Sequence, residues 1–141
     1  MFKVFQIHLT DQQSDEVNEK GWGCAPWADT YLDLTRLGMK NSDNASIMKM
    51  INDAIDFGLV THTMDIYCEN LNEAYAAGNG MHDSVEVVHH KRHKSMSVGD
   101  ILIQSDSKAG AVVKCFGFEM LSEFDAKEIE VLVPQKITFE A

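Results

Sequence analysis

Between Gly58 and Leu59 the spacing of apolar residues changes, and this change constrains the fold more than any other feature of the chain. Before it, Ile47, Met50, Ile51, Ala54 and Ile55 recur at i, i+3, i+4, i+7 and i+8, the stripe of an amphipathic helix. After it, Leu59–Tyr67 has the β-branched and aromatic content of a strand. A chain that is helical early and sheet-like late does not alternate strand and helix, so a βαβ parallel architecture is disfavoured. The expected class is α+β, with a mainly antiparallel sheet in the C-terminal half and three or four helices mostly in the N-terminal half.

The remaining segments fit that outline. Residues 2–9 read as a first strand, with Phe5, Ile7 and Leu9 on one face and Val4, Gln6 and His8 on the other. Thr10 and Gln13 have capping-box spacing, and a polar helix follows to about Lys20 with Val17 as its one apolar residue. Gly21–Pro26 is a turn-rich loop; Trp27, Tyr31, Leu34 and Leu37 then recur at helical spacing until Gly38. Asn70 and Glu73 frame another helix start, closed by Gly78-Asn79-Gly80. Val85–His89 reads as a strand, and Asp100–Gln104 with Ala111–Phe116 as a hairpin around Ser105–Gly110. Ile129–Val133 reads as a last strand before Pro134, with Ile137–Phe139 extending it. With 141 residues, no internal repeat and no linker, a single domain spanning residues 1–141 is expected.

Charge narrows the partners. The chain carries 12 Lys and Arg against 22 Asp and Glu, a net charge of −10. Up to residue 86 there are five basic and fourteen acidic side chains; after it, seven and eight. A polyanion is repelled by such a surface, so nucleic acid is not the expected partner. A basic island at His89–Lys94 reads as a solvated strand edge that discourages edge-to-edge pairing. No apolar run approaches the roughly 18 residues of a membrane span, and no signal sequence opens the chain. Three widely spaced cysteines, Cys24, Cys68 and Cys115, suit a reducing cytoplasm better than a disulfide scaffold.

Motifs that carry chemistry are sparse. Gly21-Trp22-Gly23 lacks the third glycine of a dinucleotide fingerprint and does not join a strand to a helix. His82, His89, His90 and His93 lie within twelve residues, and His89 with His93 would clamp zinc on a helix. On a strand the same pair stands more than about 10 Å apart, too far for one ion. A metal site on His82, His89 and His93 is thus a weak alternative, as is a small enzyme or ligand-binding protein built on Cys24 and the His82–His93 segment. No metal, cofactor or catalytic residue is otherwise implied.

One signature is distinctive: Ser95-Met96-Ser97-Val98-Gly99-Asp100-Ile101-Leu102, followed by Gly117-Phe118 within Cys115–Leu121. It resembles a small domain of bacteriophage and plasmid accessory proteins, including YodL-like segments, and the likeness spans about residues 59–121. The stretch Glu69–Asn79 likewise resembles the helix and terminal Asn that precede that signature in phage members. The resemblance implies a mobile-element origin and no defined chemistry. Physically, Gly99 and Asp100 make a tight turn that launches a strand, Gly117 permits a bend, and Phe118 enters the core.

The functional expectation is a phage- or mobile-element-encoded accessory protein in the cytoplasm of an infected bacterium. It would act without catalysis, by binding a host or phage protein. Trp22, Trp27 and Tyr31 are the expected anchors, since exposed aromatics dominate binding energy at interfaces. Asp11, Asp15, Glu16 and Glu19 supply the charge, in one version as a mimic of DNA phosphates.

Overall fold

The computed structural model describes residues 1–39, 43–82, 84–90 and 94–133. Among the described residues, six strands form one antiparallel sheet: β1 (Phe2–Ile7), β2 (Val60–Tyr67), β3 (Glu86–His89), β4 (Ile101–Gln104), β5 (Gly110–Val113) and β6 (Phe118–Leu121). Their order is β3-β2-β1-β4-β5-β6, which puts the N-terminal strand at the centre. Five helices among the described residues accompany them: α1 (Asp11–Lys20), α2 (Pro26–Leu34), α3 (Asn44–Asp56), α4 (Leu71–Gly78) and α5 (Glu123–Leu132). A short 3-10 turn, Trp22–Cys24, joins α1 to α2. The fold is α+β, as the change of apolar period at Gly58 requires.

Period-two alternation splits the sheet between two cores. Phe5, Ile7, Ile101, Ile103 and Val112 face a larger core that they share with Leu34, Ile47, Ile51, Ala54, Ala126 and Ile129 of α2, α3 and α5. Phe2, Val4, Met64, Ile66, Leu102 and Val113 face a smaller one completed by Ala74 and Ala77 of α4 and by Met96. Ile47 and Ile51 are almost fully buried, each contributing about 2 kcal/mol of apolar burial. With both faces covered, the sheet strands carry apolar residues on both sides, which is why β4 and β5 read as short continuous apolar runs.

The helix starts follow their sequence signals. The Thr10 side chain accepts from the Gln13 amide, and the Gln13 side chain accepts from the Thr10 amide, closing the capping box of α1. Asp43 caps α3 through the Ser46 amide. At α4 the box closes differently: the Asn70 side chain accepts from the Glu73 amide and donates to the Glu73 carboxylate.

The C-terminal end departs from expectation. Ile129–Val133 lies not in a strand but in α5 and its C-cap, and Phe118–Leu121 forms the last strand instead. Ser122 accepts from the Asp125 amide as N-cap, and Ala126, Ile129 and Val133 are buried at i, i+3 and i+7. The cap and that stripe outweigh the local β-propensity of Ile-Glu-Val-Leu-Val. Residues 137–139, expected to extend a strand, lie outside the described residues.

Gly99 shows why the signature turn needs glycine. Its φ of +96° is a left-handed conformation, and a Cβ there would stand 2.6 Å from Ile7 Cδ1 and 2.9 Å from the Leu34 carbonyl oxygen. The turn is wedged between β1 and the end of α2, so both the conformation and the space exclude a side chain.

Candidate functional site

Two assemblies of side chains stand out, one on the surface and one within the sheet.

The surface assembly is built on α1, the 3-10 turn and α2; both helices pack against the turn. Asp11, Asp15 and Glu19 recur at i, i+4 and i+8 and are all exposed. Successive turns of the helix set them about 6 Å apart along its axis. Glu16 is half-buried beside Lys20 at 3.8 Å, an i,i+4 pair of little energetic weight at the surface. Asp29 and Asp33 extend the exposed negative charge onto α2.

Trp22 is 40% exposed, and its ring lies parallel to that of Tyr31, with centroids 5.9 Å apart and planes within 2°. An offset stack of this kind holds a large ring in place. Burial, and then the nearby charge of Asp100, push the Tyr31 phenol upward, so it remains a neutral donor at physiological pH. Trp27, like Tyr31, is half-buried and packs against the larger core, which leaves Trp22 as the exposed ring of the three. Of the three aromatics singled out from the sequence, the fold pairs Trp22 with Tyr31 and turns Trp27 towards packing.

The second assembly joins His62, Asp65 and His90. In a regular strand, residues three apart point to opposite faces. The β1–β2 register, however, shifts between Val4 and Phe5: Val4 faces Met64 while Phe5 faces His62, leaving Thr63 as an extra residue. This bulge brings His62 and Asp65 onto one face. His90 follows β3, and its amide donates to the Thr63 carbonyl at 2.8 Å, which seats it beside the bulge. The two imidazoles then converge on one carboxylate: His62 Nε2 lies 2.7 Å from Asp65 Oδ1 and His90 Nε2 lies 2.7 Å from Oδ2.

The packing holds this arrangement. Phe5 stacks on His62 with centroids 5.0 Å apart, and the His90 ring meets His62 edge-on at 4.8 Å. The His62 side chain is only 3% exposed, Asp65 11% and His90 16%. Burial lowers the affinity of His62 for a proton, against the opposing pull of Asp65. Lys3, which faces Asp65 across β1, directs its ammonium to Glu130 of α5 at 2.9 Å.

The other sequence candidates are dispersed. His82 meets Glu73 at 3.3 Å and Ser84 at 3.0 Å, tying the first turn of α4 to the segment that follows the helix. His89 is exposed on the edge strand β3, and His93 lies outside the described residues. Cys24 is half-buried in the 3-10 turn, and the His62–Asp65–His90 group does not include it. Sequence reading missed His62 and Asp65 as partners because the signal that unites them is a bulge, which a strand pattern does not announce.

The signature residues form a structural knot. Asp100 is fully buried; its Oδ1 accepts from the Ile7 amide at 3.1 Å, and its Oδ2 accepts from the Ser97 amide at 2.9 Å and from Gln6 Nε2 at 3.1 Å. Gln6 Nε2 also reaches the Lys94 carbonyl, and Gln6 Oε1 accepts from the Thr63 hydroxyl. Burial pushes the Asp100 carboxyl upward, while these donors and Lys94 pull the other way. Val98 packs against the larger core, Ser95 is exposed, and Gly117 turns the chain into β6 with a φ of +75°. Phe118 is half-buried against the smaller core, edge-on to Tyr75 at 5.8 Å.

Comparison with protein-family models, with curated proteins and with solved structures gives no match to this chain. Among the described residues, no helix is long and apolar enough to cross a membrane.

Proposed function

We propose that this chain is a phage- or mobile-element-type accessory protein that acts by binding a host or phage protein through the face formed by α1, the Trp22–Cys24 turn and α2. The observation that carries this reading is the exposed Trp22 stacked on Tyr31 beside a row of exposed carboxylates. A pre-placed aromatic loses little side-chain entropy on docking and supplies apolar contact area. The surrounding carboxylates select a basic partner and accelerate encounter. The resemblance of the Ser95–Leu102 signature to mobile-element domains supports the origin, and with it a site of action in the bacterial cytoplasm. A partner whose basic groove ordinarily holds DNA fits the same charge, which makes the protein an acidic inhibitor or DNA mimic.

Affinity capture from infected host cells tests the reading, with wild type and Trp22→Ala run in parallel and bound proteins identified by mass spectrometry. A protein held by wild type and lost with Trp22→Ala is the expected result, since truncating such an anchor costs about 2 kcal/mol or more, a factor of roughly 30 in affinity. Identical capture by both chains contradicts the assignment.

A further inference from the structure

We propose that His62, Asp65 and His90 form a binding site for a divalent transition-metal ion of the zinc class. This inference is independent of the surface reading: it uses none of the residues of α1 or α2.

The three side chains offer a suitable donor set. Two imidazole nitrogens and one carboxylate oxygen suit zinc and its neighbours, and three protein ligands leave a fourth position for water. The ligand atoms all lie within 4.8 Å of one another. An ion held about 2.0–2.1 Å from each ligand needs ligand separations of about 3.3 Å in a tetrahedral arrangement. Each imidazole–carboxylate gap of 2.7 Å must therefore open by roughly half an ångström. The geometry is thus a closed, hydrogen-bonded form of the site, with the two Nε2 atoms directed at the two oxygens of one carboxylate.

Binding exchanges two N–H···O hydrogen bonds for metal–ligand bonds. Each neutral imidazole coordinates through the Nε2 lone pair and carries its proton on Nδ1 instead. Asp65 keeps its negative charge and turns its oxygens to the ion, so no net electron transfer or oxidant is involved. The bulge at Thr63 and the ring of Phe5 fix His62, and the backbone bond from His90 to Thr63 fixes the third ligand. That rigidity limits the reorganisation binding requires. Access is from the side of His90, the most exposed of the three. Among the described residues, Lys3 is a charge that opposes the ion, and Glu130 holds its ammonium together with that of Lys108.

The competing account is a purely structural triad in which Asp65 needs no ion because two imidazoles satisfy it. The full chain, purified without a histidine tag and stripped with a chelator, distinguishes the two by titration with Zn²⁺ alone and with Co²⁺ as a spectroscopic substitute. The expected result is one equivalent bound, a Co²⁺ d–d spectrum of a low-coordinate ion, and at least about tenfold weaker binding in both His90→Ala and Asp65→Asn. His82→Ala and His89→Ala should bind as wild type. Thermal melts without metal report whether each variant is folded; His90→Ala, at the end of a strand, keeps the test open if the Asp65 variant does not fold. Absence of stoichiometric binding, binding unchanged in a folded His90→Ala, or binding lost with His82→Ala or His89→Ala would overturn the assignment.

Discussion

A single buried carboxylate organises the signature turn. Asp100 satisfies the Ile7 and Ser97 amides and the Gln6 side chain, thereby joining the turn to the central strand. Asp100→Ala orphans these donors in a site closed to water, and each orphan carries a desolvation cost. A loss of about 3 kcal/mol is expected, read as a lower urea midpoint with unchanged slope. The pH dependence has a definite sign. Burial holds the Asp100 carboxyl above its ordinary value of 3.8, so the folded chain binds that proton more tightly than the unfolded chain. Its contribution to stability is therefore greatest below 3.8 and falls as pH rises through the raised value. Asp100→Asn removes that slope, and the difference in unfolding free energy between wild type and variant should shrink or invert across that window. The sequence identified Asp100 as a turn residue through Gly99-Asp100; its grip on Gln6 and Ile7, more than ninety positions away, has no local signature.

At the scale of elements, legibility tracks how local the determining contacts are. The boxes at Thr10 and Asn70 and the stripe of α3 are set within a few residues, and these helices form as their patterns indicate. The α5 segment carried conflicting signals. Its apolar run has strand character, while Ser122 and the Ala126–Ile129–Val133 spacing specify a helix against the larger core. Ser122→Ala should therefore cost about 1 kcal/mol, a fall of several degrees in the melting midpoint if α5 is part of the cooperative fold. No change in that midpoint would mean that α5 contributes little to stability. The bulge in β2 marks the other limit. A period-two reading sends His62 and Asp65 to opposite faces; only the pairing with β1 reveals the extra residue that reunites them.

For the whole molecule, fold class followed from the switch in apolar period, and the charge asymmetry is the basis for proposing which end meets a partner. The antiparallel sheet is buried on both faces, so the surface left for recognition is that of helices, loops and the strand edges β3 and β6. Among these, the α1–α2 end combines exposed acid with a stacked aromatic pair. Both features were legible because they are short-range in sequence. The distinction between Trp22 as a presented ring and Trp27 as a packing residue was not, since it depends on where α2 rests against the core.

The most direct test is the affinity of the captured partner as a function of ionic strength, for wild type and for a chain with Asp11→Asn, Asp15→Asn and Glu19→Gln. Wild-type binding should weaken steeply as salt rises towards about 1 M, where the screening length falls to about 3 Å, and the neutralised chain should bind more weakly at low salt with a flatter salt dependence. Affinity that is indifferent to salt, or the same slope in both chains, would contradict recognition through the acidic face.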